Sequence, residues 1–440
     1  MLRALVVAVL ALLLSPAGAT AAPAPLATTS GLVTEGERSG QIRFRIGDEA
    51  MWFVADTAEL GDPDAFWSAL MASSRTGSSV TVRYDADAGF IDAATAEATF
   101  AVSELVSDGR TVASLETKAT PTGAGAERRA AEAALARAVA LLSHGEATAA
   151  REAAGTALAA DGLEPRVAAL ALKTRANATA QEAEQTLPPG PARDALTVSA
   201  LTDYEAWLDL APGEADAAYR IAAALLALGA YDDSMAIYRI LTEDDETDVF
   251  WAYIGLAAAY RARGETGKAL AVLDQLVAAK GPQASMPYRY HRGWTLGDLG
   301  RLDEAEKELA EGLRSQAGYP WARIRRACML ARLGRLDEAL AEQDQGVRLL
   351  REAQAKGAPS PEQVHELTWA SGQAARLRAA AATDPKAKLD LACDSGWSDA
   401  SRHRERSPLL APDWASRHAD PEPPPAGIPA PEPADRVEAP

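Results

Sequence analysis

With 440 residues, 48% of them hydrophobic and 24% charged, the chain has apolar material for a large core and length for roughly two or three domains. Its 44 Lys and Arg against 62 Asp and Glu give a formal net charge of -18. A surplus of that sign repels phosphate backbones and anionic lipid, which excludes nonspecific nucleic-acid and membrane-surface binding.

The first residues carry one basic side chain, Arg3, an apolar run from Ala4 to Leu14, and then small residues with Ala19-Thr20-Ala21 as an A-x-A cleavage pattern. That run is too short to span a bilayer, so residues 1–21 read as a secretory signal peptide and the mature chain is expected to start near Ala22. No Cys follows the run, which excludes the bacterial lipoprotein pattern. The expected location is periplasmic or secreted, with no stable membrane insertion.

Residues 22–115 have the texture of a small beta domain. In "QIRFRI", Ile42, Phe44 and Ile46 alternate with Gln41, Arg43 and Arg45, the period of a half-buried strand. "AMWFVAD" follows as a second strand. Asp62-Pro63-Asp64 opens a helix carrying Phe66, Trp67, Leu70 and Met71 at helical spacing, and "VTVRYDA" and "ATFAVSELV" read as further strands. This order resembles the OB fold, so the expectation is a small OB-like beta-barrel. Arg43, Arg45 and Arg83 are read as solvated strand charges, with a small basic face as the alternative.

Residues 116–127, "ETKATPTGAGAE", mix Pro, Gly and Thr without large apolar residues and read as a flexible linker. Gly123 and Gly125 do not make a dinucleotide fingerprint, because Arg128 stands where the third Gly belongs.

From residue 128 the chain is rich in Ala, Leu and Arg with helical periodicity. "LGRLDEA" occurs at 299–305 and again at 333–339, and Gly229, Gly264, Gly300 and Gly334 stand 35, 36 and 34 residues apart between apolar helical stretches. In the clearest copy, Tyr253, Leu256, Ala257, Tyr260, Gly264, Ala269, Leu273 and Pro282 fall at or beside signature positions. Gly293, Leu296, Ala305 and Leu309 do so in the next, and Ala327, Leu330 and Ala339 in the one after. The pattern resembles the tetratricopeptide repeat (TPR). Residues 131–164 make a weaker copy, and "LPPGPARD" interrupts the series.

The resemblance implies a mainly alpha chain, with a helical superhelix over 128–382, a concave inner face and a deviating last helix containing Val364, Leu367, Trp369 and Leu377. In such repeats the first helix of each pair lines the groove, and ligands are usually peptides or other proteins. The groove positions implied here are Tyr219, Trp251, Arg261, Tyr290, Trp294, Trp321 and Arg325. The clamp that captures chaperone tails uses Asn side chains. Asn177 is present but the four clear copies hold none, which argues against that subclass.

Catalytic patterns are absent: His144, His291, His365, His403 and His418 are scattered, none in HExxH, and neither GxSxG nor a P-loop occurs. Asp232-Asp233 and Asp244-Asp245 sit near expected repeat turns and read as surface carboxylates. Cys328 reads as a small buried helix residue and Cys393 as lying near a frayed end, with a disulfide between them left open. Residues 383–440, ending in a Pro-rich acidic stretch, are expected to be a disordered tail.

These readings converge on a non-catalytic exported scaffold with no cofactor, binding another protein or peptide. The alternative gives ligand or glycan binding to the beta domain, with the array as oligomeriser.

Overall fold

The computed structural model describes residues 27–38, 41–47, 51–58, 60–85, 89–92, 97–107, 109–114, 126–243, 250–280, 286–355, 359–397 and 404–411. The signal peptide, most of the linker, Asp244-Asp245, Pro282, His403 and His418 lie outside those residues. The chain divides into two compact units, Met1–Ala178 and Thr179–Pro440.

The first unit contains strands β1 (Ala27–Gly31), β2 (Val33–Arg38), β3 (Gln41–Ile46), β4 (Met51–Asp56), β5 (Val80–Tyr84), β6 (Phe90–Asp92), β7 (Glu97–Ser107) and β8 (Arg110–Ser114), with helix α1 (Pro63–Thr76) between β4 and β5. The alternation read in β3 holds: Ile42, Phe44 and Ile46 are buried and their neighbours are not. Helix α1 starts where Asp62 accepts a hydrogen bond from the Ala65 amide at 2.8 Å and stops at Gly77, whose φ of 73° suits a residue without Cβ.

The strands form one sheet in the order β1-β5-β7-β4-β3-β2, with β6 and β8 also paired to β7. The pairing of β4 with β7 is parallel and the others are antiparallel. The expected OB-like barrel does not form, because the sheet stays open. Closure requires the two end strands to pair, and here β1 and β2 terminate the order. Of β2 only Val33 is buried and its other residues face solvent. Long β7 does the joining: its first half holds β4 and β6, its second half β5 and β8.

Phe44, Phe53, Tyr84 and Phe100 pack in series with ring centroids 5.7, 5.3 and 5.0 Å apart, and Phe66 of α1 lies 6.0 Å from Phe44. Helices α2 (Ala126–Ser143), α3 (Ala147–Leu158) and the first part of α4 (Pro165–Thr186) complete this core with Leu135, Ala136, Val139, Ala157, Val167 and Ala171. The sequence reading separates a beta domain from an array starting at 128, whereas the sheet and these helices share one core. Small residues allow the approach: a Cβ on Gly89 would lie 2.3 Å from the Phe100 ring and 2.9 Å from the Ala136 methyl.

The strand arginines are occupied within the unit. Arg43 and Arg45 reach Glu97 at 3.3 and 2.6 Å and lie 4.3 and 4.6 Å from the centroid of Trp52, and Arg83 pairs with Glu104 at 2.8 Å. Their charge is met by carboxylates and an aromatic face rather than displayed as a basic surface.

The second unit holds the end of α4, then α5 (Pro191–Leu210), α6 (Ala215–Ala227), α7 (Tyr231–Glu243), α8 (Phe250–Ala262), α9 (Thr266–Lys280), α10 (Met286–Asp298), α11 (Leu302–Ser315), α12 (Pro320–Arg332), α13 (Leu336–Gln354) and α14 (Pro361–Thr383). From α6 to α13 these are four consecutive helix pairs, each joined across one of the repeated glycines. Gly229, Gly264, Gly300 and Gly334 have φ of 75°, 86°, 76° and 81°. At each, the glycine amide bonds the carbonyl three residues back and the next amide bonds the carbonyl five residues back, as in Gly300 to Gly297 and Arg301 to Leu296. This is a Schellman cap, and its left-handed residue explains why the glycine recurs.

The repeat extends to ion pairs. Arg289 and Arg292 of α10 both bond Glu308 of α11, at 3.1 and 2.7 Å, and 34 residues on Arg323 and Arg326 of α12 bond Glu342 of α13 at 2.8 and 2.5 Å. The repeated phrase itself carries a copied bridge, Arg301 to Glu304 at 2.6 Å and Arg335 to Glu338 at 2.5 Å. Small faces large both between and within pairs: a Cβ on Gly255 of α8 would sit 2.4 Å from the Tyr238 ring of α7 in the preceding pair, and one on Gly293 of α10 2.8 Å from Leu309 of α11 in the same pair. Both would force helices apart.

Candidate functional site

The first helices of successive pairs lie side by side, and one polar cluster runs across them. Arg261 of α8, Trp294 of α10 and Arg325 of α12 stand three, six and nine residues before Gly264, Gly300 and Gly334. That offset slides by nearly one helical turn per repeat, so the three side chains form an oblique stack. Arg261 and Arg325 both lie over the Trp294 indole, with guanidinium carbons 3.5 and 3.1 Å from the ring centroid. Desolvated cation–π contacts of this kind contribute about 2 kcal/mol.

Around the stack, Arg261 Nε reaches Asp298 at 3.3 Å and Arg325 Nε donates to the Tyr290 hydroxyl at 2.8 Å. Tyr290 packs edge-on against Trp294 and Tyr319, at 5.7 and 5.4 Å, and His291 stacks on Trp294 at 6.2 Å. Burial, with a smaller effect from Tyr290, pushes the Tyr319 hydroxyl up to about 12. Trp294 Nε1, His291 Nδ1, Arg325 Nη1 and Glu366 Oε2 of α14 are enclosed without hydrogen-bond partners. Burial raises the Glu366 pKa, against a hydrogen bond from Ser395 and the attraction of Arg325.

His291 keeps partial exposure, yet its pKa falls from 6.5 to about 3 because burial and then the charges of Arg261 and Arg325 oppose protonation. The folded chain therefore holds the ring neutral while the unfolded chain binds a proton below 6.5. The stability this provides is complete above pH 6.5 and is lost as pH falls toward about 3. His291→Gln is expected to flatten the acid limb of the melting-temperature profile in that window. Superimposable limbs for the two proteins would show that this imidazole does not titrate there.

Of the residues implied as groove lining, the structure brings Arg261, Tyr290, Trp294 and Arg325 together, but as enclosed packing; Arg325 and Arg261 are only 2% and 3% exposed. Tyr219 packs on Tyr238 at 5.7 Å, and Trp321 is half-buried against two cores. Trp251 differs, since it is 52% exposed with Phe250 edge-on at 5.2 Å. Sequence reasoning missed Asp298, Tyr319 and Glu366, which have no periodic signature; His291 enters it only as one of five scattered histidines outside an HExxH motif.

Of the tail expected to be disordered, residues 383–440, the stretches 398–403 and 412–440 lie outside the described residues, and the described part is not disordered. Instead, residues 384–397 and 404–411 lie against the second unit. The Leu389 amide bonds Ala331 O at 3.0 Å, and Cys393 is disulfide-bonded to Cys328 of α12. Ser395 Oγ donates to Glu366 at 2.5 Å, and the buried Trp397 donates from Nε1 to Glu184 O at 2.9 Å. Further on, the Ser407 amide bonds Leu228 O at 2.7 Å. The strap thus touches the cap of the fourth pair and that of the first. Its anchors Leu391, Trp397 and Leu410 are too widely spaced to show a period.

The cap recurring every 34 to 36 residues and the Arg–Glu bridges copied 34 residues apart, in consecutive helix pairs, decide the fold of this unit. The array is of the tetratricopeptide type. Solved structures similar to the chain include MamA and TPR proteins. MamA 41-end from Desulfovibrio magneticus RS-1 is 16% identical, covering 38% of this chain and 91% of that one, with a TM-score of 0.29. The thermophilic TPR protein TTC0263 of Thermus thermophilus is 20% identical over 57% and 99%, with a TM-score of 0.28. A tetratricopeptide repeat protein from Parabacteroides merdae ATCC 43184 is 17% identical over 56% and 98%, with a TM-score of 0.33. No family model matches the chain, and no curated protein matches it. With scores this low, the internal geometry carries the tetratricopeptide assignment.

Among the described residues, no helix is long and apolar enough to cross a membrane and no group of three His, Cys, Asp or Glu side chains is placed to hold a metal ion.

Proposed function

We propose that the tetratricopeptide array is a noncovalent scaffold that binds another protein in the periplasm or outside the cell. The observation that carries this reading is Trp251, a 52% exposed indole on the first helix of a repeat whose neighbours are enclosed. Large exposed aromatics cost solvation and serve as anchors when a partner removes them from water. Export is supported by the disulfide between Cys328 and Cys393, since such bonds persist in oxidising compartments.

Because Trp251 is exposed, its replacement leaves folding nearly unchanged, within about 0.5 kcal/mol. Crosslinking in the native envelope from a photoreactive residue beside Trp251 is expected to yield one discrete adduct, and Trp251→Ala is expected to weaken binding of the identified partner by about tenfold or more. Unchanged affinity in the variant would contradict the reading.

A further inference from the structure

The strap shows how the array holds an extended peptide, because residues 404–407, Arg-Glu-Arg-Ser, are seated in a built site. Arg404 forms a two-pronged pair with Asp194 of α5, at 3.1 and 2.6 Å, and its Nη1 also donates to Ala227 O at 2.6 Å. The Tyr231 hydroxyl bridges the Arg404 backbone, accepting from its amide at 2.8 Å and donating to its carbonyl at 2.9 Å. Arg406 reaches Asp233 of α7 at 2.6 Å, and Ser407 is buried with its amide on Leu228 O.

The receiving surface is shaped for that backbone. A Cβ on Gly229 would stand 2.6 Å from Glu405 O, so only glycine at this cap lets the strap lie flat. Asp194 is 5% exposed. Burial acts to raise its pKa, yet hydrogen bonds from Arg404 and Ser407 and the charges of Arg404 and Arg193 bring it below the ordinary carboxylate range. A buried carboxylate met side-on selects arginine: the planar fork satisfies both Asp194 oxygens, which a lysine ammonium does not.

We propose that the face formed by the amino end of α5 and the α6–α7 turn is a docking site for an extended Arg-x-Arg-Ser segment, occupied in the resting chain by residues 404–407 and taken over by a partner protein displaying the same sequence. This rests on the scaffold reading and adds the chemistry of the bound segment. The partner's segment is basic, matching the acidic receptor face and the net charge of -18. Tethering gives the chain's own segment an effective concentration on the order of millimolar, so an external segment competes poorly until the strap is displaced.

The test uses full-length protein and a fluorescent synthetic peptide of residues 403–411. Arg404→Ala, Arg406→Ala and Ser407→Pro together remove the two ion pairs and the Ser407 amide bond to Leu228 O and are expected to empty the site while leaving the receptor intact. The emptied protein is expected to bind the peptide at least about tenfold more tightly than the wild type, which its own strap blocks. Adding Asp194→Asn, or Asp233→Asn as a surface alternative, is expected to reverse the gain. On the same emptied protein, a peptide with both arginines changed to lysine is expected to bind about tenfold more weakly. No gain on emptying, or equal binding of the arginine and lysine peptides, overturns the proposal. Neither result bears on crosslinking beside Trp251, so the two readings fail separately.

Discussion

Trp294→Ala is expected to lower the stability of the second unit by about 3–5 kcal/mol, the range for removing a buried Trp or Phe. The indole is buried, lies against the guanidinium groups of Arg261 and Arg325, and packs with Tyr290 and His291. Truncation removes that packing and also leaves two buried guanidiniums without the aromatic face that replaces their hydration. Trp294→Phe keeps a ring in the slot and is expected to cost less than half as much. Urea titration of the full chain followed by far-ultraviolet circular dichroism measures both. A loss below about 1 kcal/mol for the alanine variant would mean that the stack does not hold the first helices together.

The second large effect belongs to the disulfide. Cys328 and Cys393 are separated by 65 residues, and closing a loop of that size restricts the unfolded chain by about 4 kcal/mol in the chain-entropy treatment. Replacing both cysteines by alanine is expected to destabilise the unit by that order. Hydrogen exchange over residues 386–397 is expected to quicken more than exchange in α8 and α9, because the strap loses its covalent hold on α12. Equal exchange in both proteins would show that Leu391, Trp397 and Ser395 hold the segment unaided.

Much of the helical unit was legible from the sequence because its signals are local. Gly229, Gly264, Gly300 and Gly334 each mark a Schellman cap, and the repeated phrase carries its own Arg–Glu bridge. The groove set was harder. Helical spacing places Arg261, Trp294 and Arg325 on first helices, but their sliding offset from the cap glycines decides that they meet and close over one another. The open sheet is not legible because β1, β2, β6 and β8 are short or mostly polar, and because one long strand, β7, gathers β4, β5, β6 and β8. The strap was hidden for a different reason: Trp397 and Arg404 find partners near residues 184 and 194, contacts without any short-range pattern, beside a Pro-rich stretch that dominates the local composition.

That the segment after α14 is fastened across the repeats is tested most directly by non-reducing peptide mapping of the full-length protein. The expected result is a single intramolecular crosslink joining the peptide that contains Cys328 to the peptide that contains Cys393. Two free thiols, or a crosslink found only between separate chains, would contradict it.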